Sequence, residues 1–249
     1  MTAFPYDLQD DSLPRLGLIV LQVDETIEQD FRKLFTPEMA QLYVSRIPSG
    51  LELTPGSIAS MEDALPTAAG LLPAPLDVVG YACTSGATLI GPQRVQELVM
   101  GATGARAVTD PMTAALAQCQ ALGLRRIGIV SPYIAPVAAP IRAAFEAAGI
   151  TVPATLSFGE EVESRVARIA PASIVAAAQA LARDQEIDGI FLSCTNLRTF
   201  DILDTLAVQL GLPVLSSNQC LSWYMAALTG VTPPARWPGS DGRALAGEG

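Results

Sequence analysis

The segment DGIFLSCTN, residues 188–196, decides the reading of this chain. Five apolar or small residues run without a break into Cys194, and a polar Thr195-Asn196 follows. Unbroken runs of this length suit a strand buried on both faces of a parallel sheet. The segment DVVGYACT, residues 77–84, has the same form, with Asp77, Cys83 and Thr84 standing where Asp188, Cys194 and Thr195 stand. The offset is 111 positions (194 − 83). The same offset places LGLIV at 16–20 on IGIV at 127–130, so Gly17 to Cys83 and Gly128 to Cys194 both span 66 positions (83 − 17; 194 − 128). This internal repeat predicts two similar lobes related by a pseudo-twofold axis.

Outward from these segments the pattern stays the same. Further strand-like runs are RLGLIVLQ (15–22), ARAVTD (105–110), RRIGIVSP (125–132) and PVLSSN (213–218). Helix candidates lie between them at 85–100, 111–122, 136–148, 171–183 and 199–210, several opened by proline or closed by glycine. Alternating strand and helix implies an α/β fold with parallel-type sheets flanked by helices, and a site in the cleft between lobes. A closing helix at 219–229 is expected to pack back on the first lobe. The domain reading is therefore 15–111 plus 219–231 for the first lobe and 112–218 for the second. Residues 232–249, rich in Pro and Gly, read as a loose C-terminal tail.

Composition narrows the function. The 249 residues carry a net charge of −10, half are hydrophobic and 16% are charged, which excludes a disordered chain or a charged coiled coil. An acidic surface repels phosphate backbones, so no nucleic-acid partner is expected. No apolar run reaches the ~20 residues of a membrane span, so no membrane partner is expected either. The chain has no histidine, which excludes Ser-His-Asp and Cys-His machinery. Its only lysine, Lys33 in FRKLF, reads as a solvated cation on an amphipathic helix rather than a Schiff base. The cysteines Cys83, Cys119, Cys194 and Cys220 are far apart and lack metal-ligand spacing. Free thiols and the lack of an apolar leader point to the cytoplasm. No metal and no cofactor are expected; a small-molecule carboxylate substrate and a homo-oligomer are.

Ligands of doubly wound sheets bind beyond the carboxyl ends of the strands. Cys83 and Cys194 stand at such ends, and the helices expected after them would lower the thiol pKa values. If the lobes face each other, one sulfur can take a proton from one face of a carbon while the other delivers one to the opposite face. Two symmetric thiols are what a cofactor-free racemase needs. Thr84, Ser85, Thr195 and Asn196 carry hydroxyl or amide groups suited to a carboxylate, and each also suits helix capping. Cys119 and Cys220 read as small buried hydrophobes.

GLIV at 17–20, YACTSG at 81–86, VSPY at 130–133, LSCTN at 192–196 and PVLSSN at 213–218 resemble the aspartate/glutamate racemase superfamily. The branch is that of maleate cis-trans isomerase and arylmalonate decarboxylase, over most of residues 15–230. The resemblance implies a catalytic pair, Cys83 and Cys194, in an inter-lobe cleft with no cofactor, and a substrate-contacting tyrosine at Tyr133. Asp24 and Glu163 depart from the branch, which usually has asparagine there. Their acidity implies a substrate bearing an amine beside its carboxylate. The decarboxylase branch normally keeps one cysteine, so keeping both implies two-way proton transfer or isomerisation. LQVDETIEQDF with YACTSGATLIG further resembles the ectoine-utilisation racemase-like proteins, which implies a substrate derived from ectoine or diaminobutyrate. The expectation is a two-cysteine racemase of an amino-acid-like carboxylate. The alternatives are cis-trans isomerisation of an unsaturated dicarboxylate such as maleate, and a non-catalytic binding protein.

Overall fold

The computed structural model describes residues 3–8, 12–52 and 54–232; apart from Thr232, the tail expected at 232–249 lies outside them. Among the described residues there are two four-stranded sheets, each wholly parallel. The first contains β1 (Arg15–Leu21), β2 (Gln41–Ile47), β3 (Val78–Ala82) and β4 (Ala107–Thr109), in the order β2-β1-β3-β4. The second contains β5 (Ile127–Ser131), β6 (Thr155–Ser157), β7 (Gly189–Leu192) and β8 (Val214–Ser216), in the order β6-β5-β7-β8.

The sequence repeat is a repeat of register. Leu16 pairs with Val78 in the first sheet and Ile127 with Gly189 in the second, both shifted by 111 (127 − 16; 189 − 78). The shift fails at the fourth strand. Val79 pairs with Val108, but Ile190 pairs with Val214, so the partners are separated by 29 positions in one lobe and 24 in the other (108 − 79; 214 − 190). The central strands β1, β3, β5 and β7 are buried along almost their whole length, as their apolar runs require.

Among the described residues ten helices connect and cover the sheets: α1 (Ile27–Leu34), α2 (Pro55–Ala69), α3 (Thr84–Ile90), α4 (Pro92–Thr103), α5 (Pro111–Leu122), α6 (Ala135–Ala147), α7 (Glu163–Val166), α8 (Pro171–Asp184), α9 (Leu203–Leu210) and α10 (Ser217–Thr229). The single helix expected over 85–100 is two, α3 and α4. Gly91 at φ 94 leaves the helical region and Pro92 cannot donate to the turn before it, so a new helix starts there. Where one helix was expected over 199–210, a 3-10 turn at Phe200–Ile202 leads into α9. Of the four edge strands, β4 and β8 fall within the expected runs and β2 and β6 lie outside them.

Helix α10 packs against β3, β4 and α1, and also against α5, so this helix returns to the first sheet. Helix α3 packs on α6 of the second lobe. The loops at the carboxyl ends of β3 and β7 are thereby brought together. No helix of the described residues is long and apolar enough to cross a membrane.

Candidate active site

Cys83 follows β3 directly and caps α3, its Sγ accepting the Gly86 N–H at 3.2 Å. The Ser85 Oγ lies 3.7 Å from the same sulfur. Gly86 has to be glycine here, because a Cβ would sit 2.6 Å from the Tyr81 hydroxyl and 2.9 Å from the Cys83 Sγ. Fully buried Tyr81 thus lies against this thiol, and its hydroxyl also points to Met61 Sδ at 3.6 Å.

Cys194 stands at the matching end of β7, but its surroundings differ. Its φ of 135° makes it the only non-glycine residue among the described residues with positive φ. Such a backbone costs ~1–3 kcal/mol and persists only where its surroundings hold it. Thr195 and Asn196 were expected to open a helix; they lie instead in a turn, since this φ takes the chain off the helical path. The Asn196 N–H and the hydroxyl of buried Tyr133 lie close to the Cys194 Sγ and oppose the rise of its pKa.

The first turn of α10 ties the two loops together. Ser217 Oγ accepts the Cys194 N–H at 3.0 Å and the Thr84 hydroxyl at 2.8 Å. Asn218 Nδ2 donates to Thr195 O and to Asp30 Oδ2, both at 2.8 Å. The Thr195 hydroxyl reaches across to Ala82 O at 3.4 Å. Ser217→Ala would leave a buried N–H and a buried hydroxyl without their acceptor. We expect a loss of about 2 kcal/mol, read as a lower urea midpoint with unchanged slope; an unshifted midpoint would show the bridge to be energetically idle.

Two acids complete the cluster. Asp24, 4% exposed, follows β1, and its Oδ1 accepts the N–H groups of Thr26 and Ile27 at 2.8 and 2.9 Å, fixing the start of α1. Its Oδ2 is buried without a hydrogen-bond partner. Glu163, 3% exposed, opens α7, and its Oε2 accepts from Asn196 Nδ2 at 2.9 Å. The Asn196 Oδ1 in turn accepts the Glu25 N–H at 2.9 Å.

Burial governs the ionisation of the site. It pushes the Cys83 thiol up to about 12, against the Gly86 and Ser85 hydrogen bonds, and the charges of Glu163 and Asp24 push the same way. Cys194 is raised well above its ordinary value, first by burial and then by Glu163. The lowered thiol pKa values expected from helix N-termini are therefore corrected: desolvation and two nearby carboxylates outweigh one or two N–H donors. Glu163 itself is pushed up to about 7 by burial, with Asp24 adding to it. Both sulfurs are felt by Tyr133, and both feel Asp24 and Glu163. The two thiols, one phenol and two carboxyls form one electrostatic unit.

The family model described as arylmalonate decarboxylase matches residues 51–241. The chain belongs to the arylmalonate decarboxylase family. Within it, a maleate isomerase of Nocardia farcinica is 26% identical over 245 residues, 93% of this chain and 95% of that one. The arylmalonate decarboxylase of Bordetella bronchiseptica is 31% identical over 129 residues, 51% of this chain and 54% of its own. A solved structure of the Nocardia farcinica maleate cis-trans isomerase, a cysteine-to-serine mutant with a covalently bound succinylcysteine intermediate, superposes with a TM-score of 0.78. It is 22% identical, and the match covers 90% of this chain and 96% of that one.

In this member of the arylmalonate decarboxylase family, all nine residues singled out in the sequence lie in or beside the cluster. Four participants were missed: Tyr81, Ser217, Asn218 and Asp30. Asp30 is 5% exposed, and burial pushes its carboxyl up to about 6 against the hydrogen bond from Asn218. The PVLSSN motif was the available signal for Ser217 and Asn218, since a polar Ser-Ser-Asn after an apolar strand is out of place in a core. Lys33 lies on α1, half exposed and paired with Asp201 at 2.6 Å. Cys119 and Cys220 are fully buried on α5 and α10.

Proposed function

We propose that this protein is a cofactor-independent cysteine isomerase that interconverts the cis and trans forms of a small unsaturated carboxylate. The observation that carries the reading is the pair of buried thiols at equivalent strand ends, sharing Tyr133, Asp24 and Glu163. The Nocardia relative's succinylcysteine intermediate supports covalent addition by sulfur. In this reading Cys83 is the nucleophile, because it caps α3 and its sulfur accepts the Gly86 N–H at 3.2 Å, whereas Cys194 is followed by a turn and opens no helix. Its proton passes to the neighbouring Glu163 carboxylate; with the thiol at about 12 and Glu163 at about 7 this transfer is uphill in the unliganded site, and the C–S bond formation that follows draws it forward.

The Cys83 thiolate then adds to one alkene carbon, forming a C–S bond as the π bond breaks. The Cys194 thiol delivers its proton to the adjacent carbon. Rotation about the new single bond follows. The Cys194 thiolate takes a proton back, the C–S bond breaks, and the trans alkene leaves with Cys83 regenerated as thiolate. Thr84, Ser85 and Thr195 hold the carboxylate through backbone N–H groups, since the Thr84 and Thr195 hydroxyls are engaged elsewhere. Asn196 holds Glu163, and Tyr133 holds Cys194.

Proton NMR of cis-unsaturated mono- and dicarboxylates incubated with the enzyme tests this. The expected result is cis-to-trans conversion that stops when the thiols are alkylated. Conversion by fully alkylated protein would end the reading.

A racemase of an amino carboxylate is the second reading, and the unpartnered Asp24 Oδ2 favours it. An ectoine- or diaminobutyrate-derived substrate belongs to this reading. Here the same two thiols exchange the Cα proton between faces, and deuterium wash-in at Cα is the expected signature. Ligand-induced stabilisation without either turnover would point to a binding protein.

A further inference from the structure

Asp24 lies in the interior with one oxygen satisfied and one not. Its Oδ1 takes two backbone N–H groups, while Oδ2 has no hydrogen-bond partner. Burial shifts the Asp24 carboxyl upward, and the Thr195 hydroxyl that lies beside it and opposes the shift also reaches Ala82 O at 3.4 Å. Arg46, the cation whose charge acts on this carboxylate, spends its Nη1 on the backbone carbonyls of Leu21, Gln22 and Asp24 and pairs its Nη2 with Glu28. Glu163 has the Asn196 amide and, like Asp24, makes no ion pair among the described residues. Arg168, one turn along from Glu163, is taken by Glu25 at 2.8 Å. A buried carboxylate oxygen left unpaired is costly, and two such acids in one site compound the cost.

From this we propose, building on the cysteine-isomerase reading, that the substrate carries a protonated amine which docks on Asp24 Oδ2 and faces Glu163, while its carboxylate lies at the cysteine loops. An ammonium has three donors and no acceptor, which answers one unpaired oxygen and a second carboxylate. A divalent metal does not answer them: no three His, Cys, Asp or Glu side chains among the described residues are grouped to hold one. A second carboxylate on the substrate would meet two buried acids with no cation to offset it. The site is thus built for an amino carboxylate and against a dicarboxylate.

Calorimetric titration at about pH 8, where Glu163 is ionised, separates these ligands. The probes are maleate and the cis-alkene carboxylate in which one carboxyl is replaced by an aminomethyl group. The wild-type enzyme is expected to bind the amine at least ~10-fold more tightly than maleate. Asp24→Asn keeps the Oδ1 acceptor for Thr26 and Ile27, and is expected to weaken amine binding ~10- to 100-fold while improving maleate binding. Glu163→Gln serves as a second variant, with a smaller shift in the same direction. Equal or tighter binding of maleate by the wild-type enzyme overturns the proposal. So does an unchanged preference in both variants, or no binding of the amine. Turnover is scored separately by NMR: amine preference without isomerisation removes the reaction assigned above and leaves the amine site standing, and isomerisation of maleate alone does the reverse.

Discussion

Cys83→Ser and Cys194→Ser are each expected to lower turnover by on the order of 10^3-fold or more, because removing one member of a catalytic unit removes most of its effect. The two variants should differ in what they trap. In the isomerase reading the carbon–sulfur bond forms at Cys83 and the proton comes from Cys194. Intact-mass spectrometry of Cys194→Ser should therefore show protein plus one substrate mass, and Cys83→Ser should show none. An adduct found on Cys194 in the Cys83→Ser protein would reverse the roles. Near-normal turnover in either variant would remove the two-thiol mechanism altogether. Stability adds a further contrast. Glycine suits a φ of 135°, so Cys194→Gly relieves strain that Cys83→Gly, at φ −148, cannot. The Cys83→Gly protein should be less stable than its Cys194→Gly counterpart by about 1–3 kcal/mol, measured by urea unfolding.

The unliganded protein is expected to lose stability as pH rises from about 5 to 8. Burial lifts the Glu163 carboxyl from 4.5 to about 7 and the Asp30 carboxyl from 3.8 to about 6. Each folded-state value lies above its unfolded value, so the folded chain binds the proton more tightly. Their contribution is whole below the unfolded values and is lost as pH passes through about 6 for Asp30 and about 7 for Glu163. For Glu163 alone the loss is about 3 kcal/mol, taking ~1.4 kcal/mol per pH unit. Acids with lowered pKa values, such as exposed Glu25 and half-buried Glu160, act only in more acid solution and do not mask this window. Glu163→Gln keeps an acceptor for Asn196 and removes the charge. It should flatten the profile through neutral pH and exceed the wild type in stability at about pH 8. Wild-type stability that climbs across this interval, or a Glu163→Gln protein weaker than wild type at its upper end, would mean the carboxyl is not held as buried as the structure places it. If an amine docks on these acids, its presence should restore stability on the alkaline side.

Much of the architecture was readable from one dimension. The apolar runs ending at Cys83 and Cys194 could be buried only as inner strands, and their common offset required two like lobes with like register. What set the sulfurs at strand ends was therefore local pattern. The edge strands β2 and β6 were not readable in the same way. QLYVSRI at β2 mixes polar and apolar positions because one face and one edge stay partly exposed, and β6 is only three residues long. Gly91-Pro92 could have marked the break between α3 and α4, yet apolar spacing on either side hid it.

The site divides along the same line. Residue types and their order along the chain were enough to nominate two cysteines, a tyrosine and two acids, since these chemistries stand out against an apolar background. Their protonation was not contained in that order. Local reasoning set each thiol beside N–H donors and lowered its pKa; the folded chain surrounds both with the interiors of two lobes and the charges of Asp24 and Glu163, and raises it. Desolvation is a sum over everything packed nearby, and most of what packs on Cys83 and Cys194 comes from distant chain. Ser217, which bonds Thr84 133 positions away in the chain, and the unpaired oxygen of Asp24 belong to the same class. Backbone periodicity determines which segments become strands and helices, whereas hydrogen-bond partners and buried charge depend on contacts that exist only once those segments are stacked.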